Sequence, residues 1–135
     1  MKMKLLLLLL LLEFKPLCIV HAQSVRTLTQ EQAWSIVQNE ILGKKIDSIN
    51  VYVSKEIVKA NNFVPTILDK GYAPKYDSWF FFIDDLPFGN WGHPCRYVFV
   101  SIYNGEYVVW HHHRPPFLEN MVVLILKSAD NFSTV

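Results

Sequence analysis

The chain predicts an α+β fold, with one N-terminal helix packed on an antiparallel sheet of about four to five strands. Three features carry that expectation. A capped stripe of apolar residues with helical period opens the folded part, segments with a period of two follow it, and Asn104-Gly105 separates two strongly strand-like stretches.

Thr29 and Gln32 have the spacing of a capping box, in which each side chain satisfies a backbone N–H near the helix start that has no partner within the helix. Ala33, Val37 and Ile41 recur at intervals of four with Ile36 beside them, so a helix with one buried stripe is expected to about Leu42, where Gly43 stops it. From Ile49 the period becomes two. Ile49, Val51 and Val53 alternate with Asn50, Tyr52 and Ser54, which predicts a half-buried strand to about Lys59 and a sheet with one wetter face. Residues 60–77 contain Asn61, Asn62, Pro65, Gly71 and Pro74 without a sustained period, and are expected to cross the sheet as a long connection.

Residues 79–83 form an aromatic strand, and the next strand begins near Cys95. The loop between them, residues 84–94, exceeds the roughly two to five residues usual for a hairpin, and loops of such length tend to be functional or mobile. Asn104-Gly105 is the pair favoured in a type I′ turn, where both central residues take positive φ. A two-residue turn there sets Tyr103 opposite Glu106, Arg96 opposite His113 and Cys95 opposite Arg114. Val98, Val100 and Ile102 then share an aliphatic face with Tyr107, Val109 and His111, suited to receive the helix. Tyr97, Phe99 and Ser101 share the other face with Val108, Trp110 and His112, to be covered by the long connection and the C-terminal segment or offered to a partner. Residues 121–126 are continuously apolar, too short a run for its period to separate a strand from a buried helix, and their β-branched content favours a strand.

Lys2 and Lys4 precede an unbroken leucine run, and Val20-His21-Ala22 fits a small-residue cleavage site. Residues 1–22 are therefore expected to be a signal peptide and residues 23–135 a single secreted or periplasmic domain. The run ends at Glu13, Lys15 and Pro16, short of a bilayer span, so no stable membrane anchor is expected after cleavage. Removing Lys2, Lys4 and Lys15 from the 13 basic residues, and Glu13 from the 12 acidic ones, turns the formal charge from +1 to −1. A near-neutral domain lacks the electrostatic footprint of a nucleic-acid binder. Loss of Cys18 with the leader leaves Cys95 as the one cysteine of the mature chain, which excludes an internal disulfide.

His111-His112-His113 invites a metal reading, but side chains alternate along a strand, so at most His111 and His113 face one ion together. His93, Cys95 and His112 could converge if the loop turns inward, giving either a metal site or a cysteine nucleophile with its base. Pro94 removes a nearby N–H, however, and no helix N-terminus is placed to lower the thiol pKa. Asp84 and Asp85, adjacent in sequence, more readily satisfy backbone N–H groups of a turn than form an acid–base pair. The stretch Phe88-Gly89-Asn90-Trp91-Gly92 differs in kind, because large aromatics flanked by glycines suit a recognition loop better than a regular core position. Phe88, Asn90 and Trp91 are the candidate binding residues, the alternative being that Trp91 folds back as a lid on the aromatic sheet face.

The capped helix at Thr29, the strand after it and the strand–turn–strand around Tyr103-Asn104-Gly105-Glu106 resemble the PepSY-like and secreted peptidase-propeptide group of exported domains. The resemblance covers residues 29–53 and 96–109. It implies a helix on a three- or four-stranded sheet and a noncatalytic module that binds, restrains or helps to fold a peptidase, and it transfers no functional residue by position. The expectation is thus an exported noncatalytic binding module without a cofactor, acting on a peptidase or another exported protein. A metal-binding exported protein and a small cysteine-dependent enzyme are the alternatives.

Overall fold

Thr29 starts the helix by the reciprocal bonds its spacing requires. In the computed structural model, which describes residues 24–127 apart from Lys45, the Gln32 N–H donates to Thr29 Oγ1 at 3.2 Å and the Thr29 N–H to Gln32 Oε1 at 2.9 Å. The expected signal peptide, residues 1–22, lies outside the described residues. Helix α1, Gln30–Ile36, continues as a π-helical segment, Val37–Leu42, and stops at Gly43 with φ 57°. The wider turn corrects the expected stripe: Ala33, Val37 and Leu42 are buried, whereas Ile41 is only partly covered. A period of four places Ile41 below Val37, and the extra residue of a π turn brings Leu42 there instead.

Five strands form one antiparallel sheet: β1 (Asn50–Ser54), β2 (Ser78–Asp84), β3 (Cys95–Ser101), β4 (Tyr107–His112) and β5 (Met121–Ile125), in the spatial order β4-β3-β2-β1-β5. The fold is therefore the α+β class expected, with one α-helix extended by the π turn, and a short 3-10 turn at Ile46–Ser48, beside a five-stranded sheet among the described residues, and with residues 121–125 of the apolar segment a strand. β1 is shorter than its alternation suggested. It ends at Ser54, where the Lys55 N–H still reaches the carbonyl of Asn120 (3.0 Å) as the last bond of the β5 register, and Val58 then pairs alone with Ser78.

The helix packs on the aliphatic face, where Ala33, Val37, Leu42, Ile49, Val51, Val53, Phe81, Ile83, Val98 and Val100 form one core. The opposite face is not wet. Phe80, Phe82, Cys95, Tyr97 and Phe99 form a second core, with Tyr52, Val58, Val64, Tyr72 and Met121 packed against it. Residues 60–77 do cross this face as expected, tied by bridges from Val64 to Tyr72 and from Thr66 to Pro116. Burial on both faces removes the polar alternation that one exposed face would preserve.

The hairpin register differs from expectation. Val98 lies opposite Val109, Arg96 opposite His111 and Cys95 opposite His112. The offset is two residues, so each side chain keeps its expected face. Gly105 has φ 73°, but Asn104 is not at positive φ, so the connection is a longer loop rather than a type I′ turn. Tertiary bonds explain this. The Ile102 N–H donates to the Asp77 carbonyl (3.0 Å) and its carbonyl accepts from the Leu28 N–H (2.7 Å), which takes Ile102 out of the β3–β4 ladder. Asn104 instead accepts the Glu106 N–H at its side chain (3.0 Å). No helix among the described residues is long and apolar enough to cross a membrane.

Candidate functional site

The loop joining β2 to β3 is braced from both ends. The Asp85 N–H donates to the Pro94 carbonyl (3.2 Å), closing its stem. Arg96 on β3 grips Asp85 with two nitrogens, Nε at 2.9 Å and Nη2 at 2.7 Å, a forked charge-assisted pair that fixes orientation as well as distance. Asp84 Oδ1 accepts the Leu86 N–H (3.1 Å) and lies 2.9 Å from His93 Nε2. Among the described residues Nε2 has no hydrogen-bond partner, so the contact is a close approach rather than a formed hydrogen bond. His93 Nδ1 sits 2.5 Å from the Asn90 carbonyl. These contacts place the two acids in separate roles, Asp84 at the turn and Asp85 on Arg96.

Within this frame the chain doubles back. The Gly89 N–H donates to the Leu86 carbonyl (2.9 Å), and a Cβ at Gly89 would lie 2.8 Å from the His93 Cβ, so only glycine fits there. Pro87 is buried beneath the turn, while Phe88, at φ 72°, holds its ring 63% exposed. Trp91 is 77% exposed, the most solvent-facing large apolar side chain of the described residues. It is no lid on the aromatic face. Tyr72 takes that place, stacking on Trp110 at 4.9 Å and meeting Tyr97 edge-on at 5.4 Å.

Trp91 instead borders a cleft of about 220 Å³ with Ile67, Leu68, Gly92, Arg114 and Pro115. Ile67 and Leu68 are 46% and 68% exposed, carried by a tight turn in which Thr66 Oγ1 accepts the N–H groups of Leu68 (3.2 Å) and Asp69 (3.0 Å). Arg114 approaches Asp69 at 3.8 Å. The Gly71 N–H bonded to the Asp69 carboxylate, followed by the Thr66 hydroxyl and the charges of His112 and Arg114, holds that acid below its ordinary pKa. An apolar patch with an indole, an isoleucine and a leucine around one guanidinium is suited to a protein surface. The connection's share of this patch was not singled out in the sequence. An adjacent Ile-Leu pair inside a segment otherwise rich in turn residues was the available signal, since such a pair has no regular element to bury it.

The histidine and cysteine candidates do not assemble. Cys95 is 1% exposed and donates weakly to the Arg114 carbonyl (3.4 Å), which also accepts the Tyr97 hydroxyl (2.8 Å). Burial, with the Asp84 charge next, pushes the thiol up to about 12. His112 faces Cys95 across the ladder, but its Nδ1 is taken up by the Arg114 backbone, 3.0 Å from the N–H. His93 is turned to other groups, with Nδ1 at the Asn90 carbonyl and Nε2 near Asp84. Among the described residues no three His, Cys, Asp or Glu side chains are grouped to hold a metal ion. His111 lies beside the Arg96–Asp85 pair, at a polar hollow also lined by Ile41 and Ser48. No protein-family model, curated protein or solved structure matches this chain.

Proposed function

We propose that the protein is an exported, noncatalytic binding module that docks on a protein partner through the β2–β3 loop and the turn beside it, with Phe88, Asn90 and Trp91 at its tip and Ile67 and Leu68 at its flank. One observation carries this reading: a loop tied down by the Asp85–Arg96 fork nevertheless keeps Trp91 77% exposed. An ordered indole left in water contributes little to folding, yet it is the side chain that gains most when a partner covers it. Export is supported by the leader-like start of the chain. The propeptide-like resemblance makes an exported peptidase the favoured class of partner.

The reading is tested with a photoreactive maleimide on Asn90→Cys in protein that starts at Gln23 and so lacks Cys18, which offers one accessible thiol because Cys95 is buried. Irradiation with the secreted fraction of the parent organism is expected to give one dominant adduct, whose yield falls about tenfold in Trp91→Ala with the fold intact. Peptidase assay of the adduct decides the partner class. An adduct pattern indifferent to Trp91→Ala overturns the proposal.

A further inference from the structure

β4 is an edge strand built without the usual protections. Edge strands are commonly blunted by lysine, proline or a bulge. Tyr107–His112 contains neither residue, and its ladder with β3 runs without a register shift. At the other edge, β5 meets β1 through a bulge between Val51 and Tyr52. Beside the exposed His111, β4 exposes apolar or aromatic side chains on both faces: Tyr107 is 40% exposed, Val108 38% and Trp110 42%.

The hydrogen-bond phase of this edge can be read directly. The Ser101 N–H donates to the Glu106 carbonyl (2.8 Å), and these two residues continue the β3–β4 register. Bonding alternates along an antiparallel strand, so Val108, Trp110 and His112 aim their backbone groups at β3, while Tyr107, Val109 and His111 aim theirs outward. Among the described residues, no backbone group outside the β3–β4 ladder bonds to Val109 or His111.

We infer that β4 pairs antiparallel with β4 of a second copy of this chain, with the two Trp110 residues opposite each other, joining both sheets into one. Three features select this occupant and this register. Val109 of each copy falls opposite His111 of the other, so outward N–H and C=O groups meet in reciprocal bonds. Trp110 then occupies a non-hydrogen-bonded pair, the closer of the two kinds, and its ring is already held by stacking on Tyr72. Glu106 just before the strand and Arg114, in the bend just after it and 3.8 Å from Asp69, are brought near each other at both ends, so the edge is complementary in charge to its own inverted copy. Sliding the copies by one step of the same phase sets Glu106 opposite His112 in one direction and Arg114 opposite Val108 in the other, and loses that match.

Sedimentation of the purified protein over a dilution series tests the pairing. The protein is expected to pass reversibly from monomer to dimer. His111→Pro removes an outward N–H without breaking a bond to β3, and proline is tolerated at such edge positions. It should give a monomer with an unchanged far-ultraviolet spectrum. Glu106→Arg, which leaves the backbone alone, should raise the dimer Kd about tenfold by opposing arginines at both ends, and adding Arg114→Glu should restore it. A protein that stays monomeric at millimolar concentration overturns the inference. So does a dimer that survives His111→Pro, or a double charge exchange that fails to rescue Glu106→Arg.

Discussion

Cys95 shows how a potentially reactive group is silenced by its position. The sequence placed it at the start of an aromatic-faced strand, and the structure buries it to 1% exposure with its sulfur turned to the Arg114 carbonyl. Because the thiolate is disfavoured in the fold, native protein should label slowly with iodoacetamide, with no rise in rate near pH 8.5, and rapidly once unfolded. The pKa is raised on folding from 9.0 to about 12, so the neutral thiol's contribution to stability is complete below about pH 9 and is lost as pH rises from there to 12. Urea unfolding across that range measures the loss. Rapid native labelling with a lower midpoint would instead support a cysteine-dependent enzyme. Trp91 is the opposite case. Its exposure predicts that Trp91→Ala changes stability by less than about 1 kcal/mol, against about 3 to 5 for a buried large aromatic, a difference that one pair of denaturation curves resolves.

Two turns hold their elements through glycine, with different severity. At Gly105, φ is 73° and a Cβ would meet the flexible Cδ1 of Ile36 at 2.9 Å. Gly105→Val should cost about 1 to 3 kcal/mol and loosen the β3–β4 loop. At Gly71, φ is 67° and a Cβ would fall 1.8 Å from the Val64 carbonyl oxygen, which is backbone and cannot swing aside. Gly71→Ala should therefore open the Val64–Tyr72 bridge and release Tyr72 from Trp110. Hydrogen exchange is expected to accelerate across residues 60–77 in Gly71→Ala and to remain nearly native there in Gly105→Val; equal acceleration in both would refute the distinction. The turn at Asn104-Gly105 was legible as a turn because glycine and asparagine punctuate strands. Its length was not, because the bonds from Ile102 to Asp77 and Leu28 come from residues distant in sequence.

The molecule as a whole is a sheet with a core on each side, and its stability should reflect both. Phe82 is 1% exposed on the face without a helix, tilted against Tyr52 at 5.9 Å and edge-on to Tyr97 at 5.7 Å. Phe82→Ala is expected to cost about 3 to 5 kcal/mol, as much as a comparable truncation beneath the helix. A cost below about 1 kcal/mol would mean that residues 60–77 do not seal that face in solution. The same two-sided burial leaves β4 and β5 as the elements with most apolar surface in water, with the Trp91 patch beyond one end of β3.

Local chemistry was enough to specify the capped start of α1, the first four strands and the faces of the hairpin, because caps, glycine turns and side-chain alternation are set by neighbours in the chain, whereas the continuously apolar run of β5 carries no alternation and only its β-branched content favoured a strand. Val98 and Val109 remain on the helix side in the observed register because a shift of two residues preserves alternation. The π-helical turn that exchanges Ile41 for Leu42, the early end of β1 at Ser54 and the union of Trp91 with Ile67, Leu68 and Arg114 were not legible in this way. Each depends on packing or hydrogen bonds between segments far apart in sequence, whose partners are brought within reach only when the chain has folded.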